Sequence, residues 1–244
     1  MKIATCTVSL EGYEDPGWNN TRLAVLSDVF VASRALQVDL LCLPAGYLTV
    51  DSTLEIERIS KTIREEAKKH RIAVAVGIDA KNSGLFQKGK EPNAHSSLPY
   101  FAVCWTPNQD VLHIWQQRSA SSTDQWNCSD PLCAQVRALP VLNRSVEVLL
   151  CGEIFNERIR NNVLSRKEEL SAVVDLGHTS AGFRVWAGMK KLAEGGLTSL
   201  CSVHANSSSA QKYCYTPQGA MSDRTPDRIL PGPPRVELKV WHLS

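Results

Sequence analysis

No stretch of this chain approaches the ~18 consecutive apolar residues of a membrane-spanning helix, so no membrane partner is expected. Charge of one sign is not in surplus either. The 27 Lys and Arg against 25 Asp and Glu leave +2, which offers no basic face to nucleic acid. Metal-ligand spacing is missing. Of eight cysteines only Cys128 and Cys133 are close neighbours, and no histidine pair lies at zinc-finger distance, so no metal and no cofactor is expected. Glycines form no phosphate loop, because Gly195-Gly196 stops a helical segment rather than opening one. No composition break divides residues 1–244, which read as one domain. Met1-Lys2-Ile3 runs directly into a strand pattern, leaving no room for a leader. Cys6, Cys42, Cys104, Cys151 and Cys201 sit in apolar runs and read as reduced core residues, which makes the cytoplasm the expected compartment.

What is present is an alternation of buried strands and amphipathic helices. Strands are expected at 2–9, 38–44 and 73–78, the second and third as continuous apolar runs of the kind buried on both faces. Helices are expected at 19–36 and from a capping box at Ser52-Thr53-Leu54-Glu55 to the basic end Lys68-Lys69-His70-Arg71. Residues 79–97 turn polar and read as a surface excursion. Residues 100–106 and 111–115 read as a hairpin, and 116–131 as a polar loop. A second strand–helix–strand set follows at 172–176, 183–194 and 197–204, then a turn at Pro217-Gln218-Gly219 and a closing strand at 236–241. Two strand sets with helices outside predict a layered α/β sandwich.

One junction stands out. Val146 to Leu150 is an apolar strand that runs into Cys151-Gly152-Glu153 and then a polar helical stretch. Such an elbow lifts a side chain out of the core, and a thiol there is a candidate nucleophile. Three stretches in this order, Leu43-Pro44-Ala45-Gly46-Tyr47, Ile114-Trp115-Gln116-Gln117-Arg118 and Leu149-Leu150-Cys151-Gly152-Glu153, resemble the motifs of the carbon–nitrogen hydrolase (nitrilase/amidase) superfamily. The resemblance implies an α-β-β-α sandwich and a Glu–Lys–Cys triad at one cleft. It also implies a homodimer built through the helices beside the elbow, here 156–164 and 183–194.

Of that triad this sequence keeps the cysteine. Ala45 stands at the glutamate position and cannot accept a proton. Neutral Gln117 stands at the lysine position, with the cation Arg118 beside it, and Asp124 is placed to stand in for the family's further acid. His178 and His204, each at a strand end, are candidates to pair with Cys151 as a Cys–His dyad. Tyr47 and Phe155 are placed at the cleft as binding residues, and Glu153 is expected to anchor the elbow by hydrogen bonding. Two functions follow. One is a protein that has lost the standard apparatus and binds a small molecule or a partner. The other is a divergent thiol hydrolase or acyltransferase on amide-type carbonyls, using Cys151 with a recruited histidine.

Overall fold

The computed structural model describes residues 1–80, 98–119, 130–179, 183–205, 212–223 and 225–243. Its strands are β1 Lys2–Val8, β2 Leu40–Thr49, β3 Ala73–Asp79, β4 Tyr100–Trp105, β5 Leu112–Gln116, β6 Ala138–Val141, β7 Arg144–Leu150, β8 Ala172–Thr179, β9 Thr198–His204, β10 Lys212–Thr216, β11 Gly219–Asp223, β12 Arg228–Leu230 and β13 Val236–His242. The helices are α1 Asn19–Ala35, α2 Thr53–His70, the short α3 Asp130–Cys133, α4 Glu157–Ser165 and α5 Phe183–Glu194. None of the described helices is long and apolar enough to cross a membrane.

The main hydrogen-bonded path runs β5-β4-β3-β2-β1-β9-β8-β7-β6. Within it β1, β2 and β3 are parallel, and so are β7, β8 and β9. The two groups meet through β1, which pairs with β2 over Ile3 to Thr5 and with β9 only at Thr7 and Val8. β1 is thus a corner where one sheet passes into the other.

Side-chain alternation turns these sheets into layers. On β2 and β3, Leu41, Leu43, Val74 and Val76 pack under α1 and α2 with Leu26, Phe30, Ile59 and Ile63. Their alternate neighbours Leu40, Cys42, Ala73 and Ala75 face Val146, Val148, Leu150, Ala172 and Val174 of the other sheet. On that sheet's far side, Leu149 and Val173 pack under α4 and α5 with Ile159, Val163, Met189 and Leu192. Three apolar interfaces separate four layers, helix–sheet–sheet–helix, the expected α-β-β-α sandwich. The interface between the sheets draws on alanine and cysteine from the first sheet, so small side chains set a close approach there.

Several local expectations change. Ser52 occupies the N-cap of α2 but makes no side-chain cap bond; Glu55 instead accepts from the Asp51 N–H at 3.0 Å. Val185, Met189 and Leu192 of α5 are buried within the chain against α4 and the sheet. Cys133 is disulfide-bonded, whereas Cys6, Cys42, Cys104, Cys151 and Cys201, read as reduced, are free. Asp79, taken as the start of a surface excursion, is fully buried at the end of β3.

Candidate functional site

All the parallel strands send their C-terminal ends to one side, and that edge is where open α/β sheets place their ligands. Tyr13 follows β1. Ala45 and Gly46 lie in β2, Asp79 ends β3, Cys151 follows β7, His178 lies near the end of β8 and His204 ends β9.

Two irregularities aim these residues. The β2–β3 register breaks between Leu43 and Leu48, where Pro44-Ala45-Gly46-Tyr47 bulges over Gly77. A Cβ on Gly77 would lie 2.2 Å from the Ala45 Cα, so only glycine lets the bulge settle there. Gly46, at φ +69°, leaves room in the same way: its missing Cβ would lie 2.9 Å from Asp79 Oδ2 and 3.0 Å from Tyr13 Cε2. The second break lies between Leu176 and Thr179 of β8 and carries His178. Bulges beside active sites commonly re-aim a side chain in this way.

Cys151 begins a 3-10 turn, Cys151–Phe155, with φ at +39°. A left-handed cysteine is a strained elbow. What holds it is Glu153, whose Oε2 accepts from Leu150 N at 3.3 Å and from Arg118 Nη2 at 2.9 Å. Its Oε1 accepts from Arg118 N at 2.6 Å and Arg137 Nη1 at 2.8 Å. Burial would raise the Glu153 pKa, but these two guanidiniums hold it below the usual range. Glu147, buried beside them, receives Arg166 Nη2 at 3.1 Å, and there burial prevails and the pKa is raised.

His178 is the meeting point. Its Nε2 lies 3.0 and 3.2 Å from the two Asp79 oxygens, and Cys151 is near enough to act on its charge. The edge of Tyr100 packs on its ring at 4.7 Å. Burial alone would lower the His178 pKa; the bond to Asp79 and the nearby Cys151 outweigh it and raise it to about 10. Behind the elbow, Asp175 is fully buried and accepts from Cys201 Sγ at 3.7 Å. Burial, then the charges of Cys151 and Glu153, push its pKa well above the carboxylate range.

His204 is wholly buried, with Tyr13 against its ring at 4.6 Å. The backbones of Ser9 and Ala45 lie beside it, but neither ring nitrogen has a partner at hydrogen-bonding geometry. Burial first, then the nearby Arg22 guanidinium, lower its pKa to about 3. It is a neutral histidine, and no bond joins it to Cys151 among the described residues.

The remaining sequence candidates divide. Ala45 is buried between the sheets, beside His204. Gln117 does lie at the elbow, donating from Nε2 to Leu150 O at 3.1 Å and Ser119 O at 2.7 Å, while its Oε1 has no partner among the described residues. Arg118 was considered as a cation for the cleft; instead it is fully buried, with its terminal nitrogens spent on Glu153, Glu147 and the Gln135 carbonyl. Tyr47 lines no cleft. It is buried under α1, donating to Arg22 O at 2.7 Å. Phe155 packs against the core under α4 and α5. Asp124 lies outside the described residues. Sequence reasoning missed Asp79, Tyr13 and Tyr100; an acid immediately after a buried parallel strand was the available signal for the first.

No protein-family model matches the sequence, and no curated protein matches it. Solved structures do. The amidase from Nesterenkonia sp. AN1 superposes with a TM-score of 0.68 at 16% identity, over 100% of this chain and 93% of that one. A variant of it in which acrylamide has added to the active-site cysteine gives 0.67 at 16%, with the same coverage. A cysteine-to-alanine variant, described as an amidase of the nitrilase superfamily, gives 0.64 at 16%, over 98% and 90%. The chain therefore has the fold of the nitrilase-superfamily amidases.

Proposed function

We propose that this protein is a thiol enzyme that hydrolyses, or transfers the acyl group of, a small amide-type carbonyl compound. Cys151 is the nucleophile, His178 the proton carrier and Asp79 the group that orients it. One observation carries the reading: His178 is bonded at 3.0 Å to Asp79 on a neighbouring sheet and interacts electrostatically with Cys151 at a strained elbow. A nucleophile, a base within hydrogen-bond reach and a third group steering the base make up the general logic of a catalytic triad. The carboxylate comes from β3 rather than from the β2 position that Ala45 occupies.

In the proposed reaction His178, protonated at neutral pH, faces the Cys151 thiolate, whose sulfur attacks the carbonyl carbon. The carbonyl π pair moves onto oxygen. Collapse re-forms the C=O bond and breaks the bond to the amine, which leaves with the proton from His178. Water, giving a proton back to His178, then splits the thioester to a carboxylic acid and the Cys151 thiolate; another acceptor in place of water gives acyl transfer. The unpartnered Gln117 Oε1 beside the elbow suits a substrate that carries an N–H donor.

Ala45 and neutral Gln117 favour a second reading, a small-molecule-binding protein without turnover. Labelling with iodoacetamide at neutral pH separates the two. The thiol-enzyme reading expects Cys151 to react faster than the other cysteines, and an activated ester to be turned over by the wild type but not by Cys151→Ala. A Cys151 as slow as the buried thiols of Cys6 and Cys42, with no turnover, would establish the binding reading instead.

A further inference from the structure

Resting on the thiol-enzyme reading, we infer that Tyr13 is a further catalytic residue, whose phenol donates a hydrogen bond to the oxyanion formed when Cys151 attacks a carbonyl. The site needs such a donor. Attack on a carbonyl places a full negative charge on oxygen, and preorganised donors at that position account for much of the rate of acyl transfer. Gln117 is neutral and its amide N–H groups are spent on the Leu150 and Ser119 carbonyls. Arg118 and Arg137 are buried in the Glu153 network. Among the described residues, the donors these three leave unpartnered are the Nε groups of Arg118 and Arg137, and both side chains are buried.

Tyr13 is placed to supply the donor. It sits in the turn that follows β1, between two residues of positive φ, Gly12 at +62° and Glu14 at +65°. Its ring packs on His204 at 4.6 Å. Its Cε2 edge, next to the hydroxyl-bearing carbon, lies 3.0 Å from the point where Gly46 would carry a Cβ, and Asp79 Oδ2 lies 2.9 Å from the same point. The ring edge thus shares the space over Gly46 with the Asp79 carboxylate that holds His178, and the charges of Asp79 and Cys151 act on its phenol. Burial, then the charges of Asp79, Glu14, Cys151 and Tyr100, push the Tyr13 pKa up, so the phenol stays protonated and able to donate wherever the enzyme works. Tyr13 is only half-buried, within reach of an entering substrate. No sequence pattern points to it, since Tyr13 stands alone in the connection between β1 and α1.

An aldehyde tests this without requiring turnover. Propionaldehyde and the Cys151 thiolate form a thiohemiacetal adduct: a C–S bond forms, the C=O π pair moves to oxygen, and that oxygen takes the negative charge the sulfur gives up. Alkylation by iodoacetamide forms a C–S bond and expels iodide, with no oxyanion. The measurement is the propionaldehyde concentration that protects Cys151 from iodoacetamide, read by mass spectrometry, in the wild type and in Tyr13→Phe, which keeps the ring packed on His204. The inference expects unchanged alkylation in Tyr13→Phe and protection weakened on the order of 10–10²-fold, with kcat on an activated ester falling in parallel while KM holds. Equal protection in the two proteins would overturn the role of Tyr13 and leave the Cys151–His178–Asp79 reading standing. Slow, unselective alkylation of the wild type would overturn that reading, and this inference with it.

Discussion

His178 and His204 lie on adjacent strands, yet their surroundings push them in opposite directions. His178, bonded to Asp79 and close to Cys151, has its pKa raised to about 10. The ordinary value is ~6.5, so this pair stabilises the fold fully below ~6.5 and loses that contribution as pH rises through the native value. His204 is held neutral by burial and Arg22, at about 3, so the unfolded chain takes up its proton first. Stability then falls as pH drops from ~6.5 toward 3. Urea melts from pH 3 to 10 should show both limbs; Asp79→Asn should flatten the alkaline one and His204→Phe the acid one. Asp79→Asn should also slow ester turnover by ~10²–10⁴, the range of general acid–base assistance. Cys151 was legible in the sequence because a strand, a small turn residue and a helix announce an elbow. Asp79 was not, because its partner is 99 residues away on another sheet.

At the scale of elements, strand cores could be read and strand ends could not. The apolar run at 38–44 predicted β2, but the strand continues through Pro44 to Thr49, and β8 continues past Leu176 to Thr179. Both extensions contain a register break, where the two-residue alternation on which strand reading depends stops holding. Those breaks are also where the site is built. Gly77 supports the first of them by leaving space under Ala45. Gly77→Ala should displace the bulge, costing ~1–3 kcal/mol in stability as overpacking does. It should also slow Cys151 alkylation, because Gly46 and Asp79 move with the bulge. A melt unchanged from the wild type would contradict this account of the bulge. The helix α5, Phe183–Glu194, matches its sequence reading at both ends. There the apolar spacing and the Gly195-Gly196 stop agree, and nothing distant intrudes.

Across the whole molecule, Asp79 belongs to the sheet of β1 to β5, while Cys151 and His178 belong to the sheet of β7 to β9. Small residues such as Ala75, Ala102 and Cys104 keep those sheets close. Ala102→Leu, on β4 opposite Gly77, should widen the gap and slow Cys151 alkylation at a temperature where circular dichroism still reports a folded chain. Alkylation as fast as in the wild type would contradict that dependence. The layered order was visible from two strand sets with helices outside them; the distance between the layers was not, since it is the sum of many facing side chains.

The corner at β1 gives this arrangement a temporal consequence. A chain in which only one sheet has formed holds either a carboxylate without its imidazole or an imidazole and thiol without their carboxylate. In the proposed mechanism, reactivity at Cys151 then switches on only when both halves have docked, and the nascent chain carries an ordinary cysteine until assembly is finished.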